Sequence, residues 1–453
     1  MPRFQVFVRW RPLSANESGE GEIKREYSEN NSTISISAPP QSKTLSRRNI
    51  AWKSGSSFSG IFDANDNNKI VFDSVVSPVL SNVLQGQCCN FFAYGHSGSG
   101  KSHTIMGYNY DNSEEFGLCL AAAHHLISAL KKLNTVDDGG RGDKLGIGIR
   151  MYEMRKNSAF DLLNGHRECH VREGSDGRVY IRGETEMLED GKVRVRPITT
   201  VGCWSFEDLH RELQVGLKLR ATGSSTIHDQ SSRTHAVLEL EIITEKLTVA
   251  RDAVFERQSE LVPVGKHATD VYIEEQSRGV MLNSDGKWIP NPDYQINQSR
   301  IDAAELKKGE FEKRVKEAED YETKVFRDIA SRHACIGGRL VFVDLAGSEY
   351  SDDSRTGPGP KQTPQEKQEG RQINSDLLAL KEVIRATALN QTRIPFRSSP
   401  LTMVLRQHFQ TSTNNHSAMI LTISPSTQQF AAAMNTLKYG DLVGVASGKK
   451  RIA

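Results

Sequence analysis

Apolar and polar positions alternate from the first residues: FQVFVRWRPL (4–13) steps like a strand and is stopped by Pro12. A polar stretch rich in Ser, Pro and Arg (28–60) reads as edge loops, and 69–84 as a helix leading into a second strand. That strand, CCNFFAY (88–94), is short, unbroken and aromatic-rich, the pattern of a buried strand. GIGIRMYEM (146–154) is again strand-like, DLLN (161–164) closes a short element, and VREGSDGRVYIRG (171–183) sets a Gly-bounded turn between two strand-like arms. SFEDLHRELQVGLKLRA (205–221) has a helical period, with Ser205 as N-cap and Glu207 and Asp208 in the first turn. An alternating strand follows in DQSSRTHAVLELEI (229–242), and a buried one in LVFVDLAGSE (340–349), ending at Asp344. Strands alternating with helices predict an α/β fold with a sheet covered on both faces, and no internal repeat is visible.

The loop after the buried strand, GHSGSGKS, carries the first chemistry. Gly95, His96, Ser97, Gly98, Ser99, Gly100, Lys101 and Ser102 satisfy G-x-x-x-x-G-K-[ST], between a strand and a segment that can open a helix. Glycines there let backbone N–H groups turn inward around phosphates. Lys101 would reach the terminal phosphates and the Ser102 hydroxyl would ligate Mg²⁺. A chance Gly/Ser loop is outweighed by the strand context and the Lys-Ser offset. Asp344 at a strand end suits an indirect Mg²⁺ partner, and Gly347, three residues on, can offer its N–H to a γ-phosphate. D-x-x-G alone is a weak signal. Joined to the cradle and to the Ser-Ser-Arg cluster at 231–233, it predicts a nucleotidase whose loops order around γ-phosphate and relax after hydrolysis.

Composition narrows the class. At 453 residues, 37% hydrophobic and 25% charged, the chain suits a globular protein of one large domain with insertions, or of two domains. No apolar run approaches the ~20 residues that span a bilayer, and MPRFQVFVRW reads as a strand start, not a signal peptide. Six cysteines without C-x-x-C spacing (Cys88, Cys89, Cys119, Cys169, Cys203, Cys335) point to reduced thiols in a cytosolic or nuclear protein. A net charge of +2 gives no ground for a nucleic-acid partner. Its distribution says more: from Arg355 to Arg406 nine Lys/Arg stand against four Asp/Glu, a balance of +5. Such a stretch attracts an acidic surface or is an ordinary solvated face; charge alone does not choose.

Taken together, the motifs resemble those of the kinesin motor domain, over nearly the whole chain. VFVRWRPLS resembles its opening strand, FFAYGHSGSGKSHTIMG its phosphate loop, SSRTHAV its switch I and VDLAGSE its switch II. INSDLLALKEVIRA (373–386) is similar to the relay helix, IPFRSSPLT (394–402) to the loop after it, and NTLKYGDLV (435–443) to the last helix. The resemblance implies an eight-stranded mixed sheet with three helices on each face, and Mg-ATP hydrolysis coupled to binding of microtubules. It implies that Arg9, Pro12 and His103 hold the adenine, and that Ser102 and Ser232 serve Mg²⁺ and the γ-phosphate. Asp344 would be the water-mediated Mg²⁺ partner and Gly347 the γ-phosphate sensor. Arg233 and Glu349 would form the ion pair that closes over ATP and orients the attacking water, positioning being what phosphoryl transfer requires. The basic 355–406 stretch then gains a partner, the acidic tubulin surface. Ile373, Leu377, Leu380 and Ile384 form an apolar face, leaving Lys381 and Arg385, with Arg393, Arg397 and Arg406, to meet it. A cytoplasmic, cytoskeletal location follows. No coiled-coil stalk is present, so dimerisation or cargo regions are expected outside this stretch.

The chain departs from the family at His228, Ser398 and Pro400, where Asn, Asp and Lys are usual. A GTP switch would need N-K-x-D, which NKIV (68–71) does not supply, and a non-enzymatic filament binder is opposed by the intact motif residues. LLALKEVIRA and PFRSSPLTMVLR resemble depolymerising kinesins, which keeps that alternative open. The largest departure lies between Thr244 and Gly337, where the family has a short hairpin and this chain about 90 residues. Both switches lie at one end of the strand pair that flanks this insertion (245–337), so it should leave from the other. A long helix is predicted near 301–334, with a stripe of Phe311, Val315, Ala318, Val325 and Ile329 and i, i+4 pairs Glu312–Lys316 and Lys313–Glu317. Before it, NSDGKW (283–288) suggests a small hairpin within an otherwise irregular stretch.

Overall fold

Seven consecutive buried residues, Cys88–Tyr94, form the strand at the heart of the sheet. Both neighbours run parallel to it, Arg339–Asp344 on one side and His416–Ile423 on the other. Parallel strands are covered on both faces, which is why these three read as unbroken apolar runs. Phe4–Trp10 continues the sheet in parallel beyond 416–423, and Gly60–Phe62 ends that side. On the other side His235–Thr244 pairs antiparallel with 339–344, followed in order by Leu145–Arg155, Ser158–Asp161, Arg167–Glu173 and Val179–Met187. Val201–Cys203 pairs with 145–155 off this path. Among the described residues the ladder thus holds more strands than the eight expected, through such short segments, around the mixed α/β sheet that the motifs imply.

The computed structural model describes residues 4–14, 17, 21–30, 32–38, 50–136, 143–174, 177, 179–187, 193–222, 233–284, 286–348, 364–389, 391–410 and 416–448. The chain divides into two units: Met1–Ile181, Ile198–Ile243 and Ala334–Ala453 form one, and Arg182–Pro197 with Thr244–His333 the other.

In the first unit, helices Pro364–Ala388, Pro400–Gln410 and Phe430–Gly448 share one apolar cluster with Phe92, Tyr94, Val341, Val343, Met419 and Leu421. Those strand residues sit two apart, so the three helices cover a single face. Ile373, Leu377, Leu380 and Ile384 all lie in that cluster, as their spacing requires. Asn68–Val75, Leu118–Val136 and Phe206–Thr222 pack together as a second group of three. Ser205 caps the last of these: its Oγ accepts from Asp208 N at 3.1 Å and donates to the Asp208 carboxylate at 2.7 Å.

Two local expectations change. The helix expected over 69–84 ends at Val75 and resumes as a 3₁₀ turn, Ser77–Val79, and a single turn, Leu80–Val83. Pro78 has no N–H for the helix ladder, and this is where it breaks. The 28–60 stretch holds strands Ile34–Ala38 and Ile50–Lys53, which join Lys24–Tyr27 in a separate antiparallel sheet. Ile34 and Ile36 are buried and alternate with serines, a period-2 signal concealed by polar composition.

The second unit begins at Thr244, whose Oγ1 accepts from Leu247 N at 3.2 Å to start helix Glu245–Arg278. A hairpin, Val280–Leu282 with Trp288–Pro290, follows, and then helix Gln298–Ala330. With 34 and 33 residues the helices are each about 50 Å long at ~1.5 Å per residue. They lie antiparallel, with Arg251–Glu322 at 3.3 Å and Arg300–Glu274 at 2.7 Å between them. Leu247, Ala250, Val254, Ala268 and Val271 are buried on one, and Ile301, Ala304, Val325 and Ile329 on the other. The helix expected near 301–334 is therefore present over 298–330, with Phe311, Val315 and Ala318 of its stripe half-buried. Lys313 approaches Glu317 at 3.9 Å, whereas Glu312 lies 4.0 Å from Lys308. The helix before it was not legible. Pro263 interrupts its pattern, and the apolar face of the partner helix holds the segment helical.

Candidate nucleotide site

The glycine-rich loop leaves the 88–94 strand at Tyr94 and ends on Gly100, whose φ of 101° lies in the left-handed region that suits glycine. Gly100 caps the short helix Lys101–Ile105. Lys101 is buried, its Nζ donating to the carbonyls of Gly95 at 3.1 Å and His96 at 2.8 Å. Burial, with a further push from the Lys101 charge, lowers His96 to about 4, so this imidazole is neutral. Ser102 Oγ donates to Asp344 Oδ2 at 2.6 Å, joining the loop to the end of the 339–344 strand. Beyond that end, Leu345 N donates to Ala93 O and Ser348 N to Gly95 O. The turn closes against the loop so tightly that a Cβ on Gly347 would fall 2.8 Å from Ser97 N. Glycine is needed there for close approach.

Asp344 is also met by Arg220, whose Nη1 donates to the same Oδ2 at 2.7 Å. Both groups are buried, and Arg220 Nε stands 4.0 Å from Glu153 Oε2. Asp344 Oδ1 is buried without a hydrogen-bond partner among the described residues. A water on a cation bound to Ser102 would satisfy it, so the donor set fits Mg²⁺, which keeps several waters and takes few protein ligands. His235 braces the same turn. Its Nδ1 accepts from Ala346 N at 3.0 Å, and burial lowers its pKa to about 4, keeping that nitrogen free to accept.

A cleft of about 200 Å³ opens beside the loop, lined by Arg9, Arg11, Pro12, Gly100, His103 and Thr104 among others. Arg9, Pro12 and His103, far apart in sequence, thus meet at one cavity. Arg9 Nη1 donates to Asn68 Oδ1 at 2.6 Å and Thr104 Oγ1 at 2.8 Å; burial lowers its pKa to about 10, which leaves it charged. Arg11 Nε donates to Gly98 O at 2.8 Å while its guanidinium grips Glu17 through two 2.7 Å bonds. Those bonds hold the Glu17 carboxyl down at about 2.

Ser232, Glu349 and His228 lie outside the described residues. Arg233 is described, with Nη1 3.8 Å from Glu369 Oε2. Glu369 is buried on the 364–388 helix and also meets Arg155 at 2.8 Å and Lys156 at 3.8 Å. Arg220, Arg11 and His235 were not foreseen. For Arg220 a signal existed: Leu209, Leu213, Gly216 and Arg220 fall at i, i+4, i+7 and i+11. An arginine on the buried stripe of a helix calls for a buried carboxylate.

The basic surface is less free than its charge count implies. Arg397 forms two 2.8 Å bonds to Glu173, and Arg406 a third at 3.0 Å. Lys381 Nζ lies 5.6 Å from the Tyr439 ring centre, and Arg385 pairs with Glu382 at 3.4 Å. Arg393 is exposed, and residues 351–363 lie outside the described residues. Pro400, where the family's lysine is missing, is the first residue of the 400–410 helix. Ser399 precedes it as a cap, its Oγ accepting from Thr402 N at 3.2 Å.

A parallel strand feeding a Gly-rich loop, a Lys-Ser pair, and a D-x-x-G turn pressed on that loop define a P-loop nucleotidase. The sequence profile of the kinesin motor domain matches residues 9–264 and 315–444, and the chain belongs to that family of ATP-hydrolysing motor proteins. The interval left out falls inside the second unit. The chain is 27% identical over 446 residues to "Kinesin-like protein KIF24" of Mus musculus, covering 98% of this chain and 24% of that protein. It is 27% identical over 441 residues to "Kinesin-like protein KIN-13A" of Oryza sativa subsp. japonica, covering 97% and 41%. It therefore spans less than half the length of either relative. A solved fast kinesin superposes with a TM-score of 0.60 at 19% identity, over 99% of this chain and 93% of that one. The C-terminal motor and motor homology domain of Kar3Vik1, fused to a synthetic heterodimeric coiled coil, gives 0.58 at 19%, over 97% and 85%. These two likenesses show the fold.

Proposed function

We propose that this chain is a microtubule-stimulated ATPase that couples Mg-ATP hydrolysis to microtubule binding and movement, in the cytoplasm on the microtubule cytoskeleton. The 2.6 Å bond from Ser102 to Asp344 carries the reading, because it ties the phosphate cradle to the turn bearing Gly347. When bound, Mg-ATP supplies the transferable phosphoryl group and the cation that neutralises it. Lys101, now on two backbone carbonyls, would hold the terminal phosphates. Ser102 would hold the cation, with Asp344 kept in place by Arg220. Gly347 would offer its N–H to the γ-phosphate, and Ser232, Arg233 and Glu349 are the further residues assigned to hydrolysis. Arg9, Pro12 and His103 wall the cleft that receives the adenine. Arg393 and the rest of 355–406 meet acidic tubulin.

Steady-state ATP turnover with and without microtubules tests this; stimulation of at least ten-fold is expected, and equal rates would remove the filament from the reading. A second reading, depolymerisation of filament ends, is supported by the 377–386 and 395–406 segments noted above. Shrinking instead of gliding of labelled microtubules would select it.

A further inference from the structure

The bend of the glycine-rich loop is held from outside the loop. Gly98 lies inside the turn closed by Ser99 N on His96 O at 3.2 Å, and its φ of 73° is left-handed. No atom comes within 4 Å of where its Cβ would sit, so no packing on that side holds it. The rest of the loop is tied down: Ser99 Oγ bonds Thr422 Oγ1 at 2.7 Å, and Lys101 holds the carbonyls of Gly95 and His96. Gly98 is reached by Arg11, whose Nε donates to its carbonyl at 2.8 Å. A loop that binds phosphate through backbone N–H groups works only while its peptide planes stay aimed.

Arg11 is in turn held by a carboxylate. Glu17 accepts from Nη1 on Oε2 and from Nη2 on Oε1, each at 2.7 Å. This fork sets the plane of the guanidinium and leaves the Nε–H, in the same plane, for Gly98. Glu17 has its own anchors. Oε2 accepts from Ser14 N at 3.1 Å and Ser14 Oγ at 2.8 Å, and the buried Ser424 places its Oγ 3.5 Å from Oε1. Ser424 directly follows strand 416–423, and Arg11 N donates to Ile423 O at 3.0 Å, so the brace is rooted in the sheet. The two side chains are only 20% and 17% exposed, which spares the pair much of the screening that weakens surface ion pairs.

We propose that Glu17 is a positioning residue for nucleotide binding: through Arg11 it fixes the phosphate loop at Gly98, and so sets the affinity for phosphates that it does not touch. The inference rests on loop 95–102 being the phosphate cradle. Arg11 lines the adjoining cleft and Glu17 does not, so Glu17 acts through Arg11. The rival role, in which Arg11 serves the nucleotide by its charge, predicts the opposite sign. While paired, the guanidinium is offset by the carboxylate, and Glu17→Gln uncovers it. If charge governed, a polyanion such as ATP would then bind more tightly. If position governs, ATP binds more weakly, because the fork that aims Nε is lost.

Titration of the protein with a fluorescent ATP analogue, together with steady-state turnover, tests this. Glu17→Gln should weaken affinity and raise KM about ten-fold, the low end for a hydrogen bond to a charged group, and leave kcat within about two-fold. Arg11→Lys keeps the charge but loses the fork, and should give the same loss. The double variant should bind no worse than either single one, since both substitutions cut one linkage. Tighter or unchanged binding in Glu17→Gln, additive losses in the double variant, or a loss confined to kcat would each overturn the proposal. Normal nucleotide affinity in Lys101→Ala would instead overturn the reading of the loop beneath it, and the proposal with it.

Discussion

The glycine-rich loop and the tip of the second unit treat water in opposite ways. Around the loop, polar groups are drawn onto one another: Lys101 onto two carbonyls, Ser102 and Arg220 onto Asp344, Arg11 onto Gly98 and Glu17. At the tip, Trp288 and Leu282, opposite one another on the hairpin, stand largely in solvent. The first region is assembled from residues hundreds of positions apart. The second is built from a single continuous stretch, a capped helix, a hairpin and a returning helix. A site assembled from distant segments needs the whole sheet to exist, whereas a helical hairpin needs only its own two stripes. Chemistry should therefore be lost by changes in the core and spared by changes in the insertion.

The largest effect expected follows from that contrast. Lys101→Ala should lower nucleotide affinity and turnover by at least about 100-fold, since it removes the cation aimed at the terminal phosphates, while far-UV circular dichroism of the helical hairpin stays unchanged. Titration with a fluorescent ATP analogue measures it, and normal affinity would remove Lys101 from the site.

A smaller effect sharpens the core side of the comparison through pH. Burial raises the Asp376 carboxyl from 3.8 to about 6, only partly offset by its bonds to Gln372 and Ser399. A carboxyl with a raised folded-state pKa costs nothing while protonated, and the folded state loses stability as pH rises from 3.8 through about 6. Asp376→Asn should therefore raise the melting temperature by roughly 5 °C at neutral pH and leave it unchanged near the acid end of that window. Calorimetry at the two pH values decides; equal shifts would mean that the substitution acts through packing and not through charge.

The smallest effect is the most direct attempt to break the comparison. Ile243 and Ala334, the ends of the first unit that flank the insertion, lie beyond the 241–339 end of the strand pair, whereas Ala236 and Asp344 pair at the site end. Replacing 246–336 by a short Gly/Ser turn should leave basal ATPase within a few fold. A variant that melts cooperatively but hydrolyses no ATP would show that the hydrolytic core depends on the second unit.

What was legible divides along the range of the interactions involved. Local patterns predicted the strands 88–94 and 339–344, the Ser205 cap, the 373–384 stripe and a helix near 301–334, found over 298–330, because each signal lies within a few turns or strand steps. The cradle was legible as well, since its loop needs glycines and a Lys-Ser pair at fixed spacing. Strand 34–38 was hidden because serines alternate with its buried isoleucines. The helix 245–278 was hidden because Pro263 opposes it locally and only a packed partner stripe overrides that cost.

By itself the sequence determined the order of motifs, the phosphate-binding chemistry and the family to which the chain belongs, since these are written in contiguous residues. Only the tertiary structure decided that Arg220 meets Asp344, that Arg11 grips Gly98, and that Glu173 occupies two arginines of the basic stretch. Charge and burial are properties of what surrounds a side chain. Those surroundings come from strands and helices that the chain order keeps far apart and that folding alone brings together.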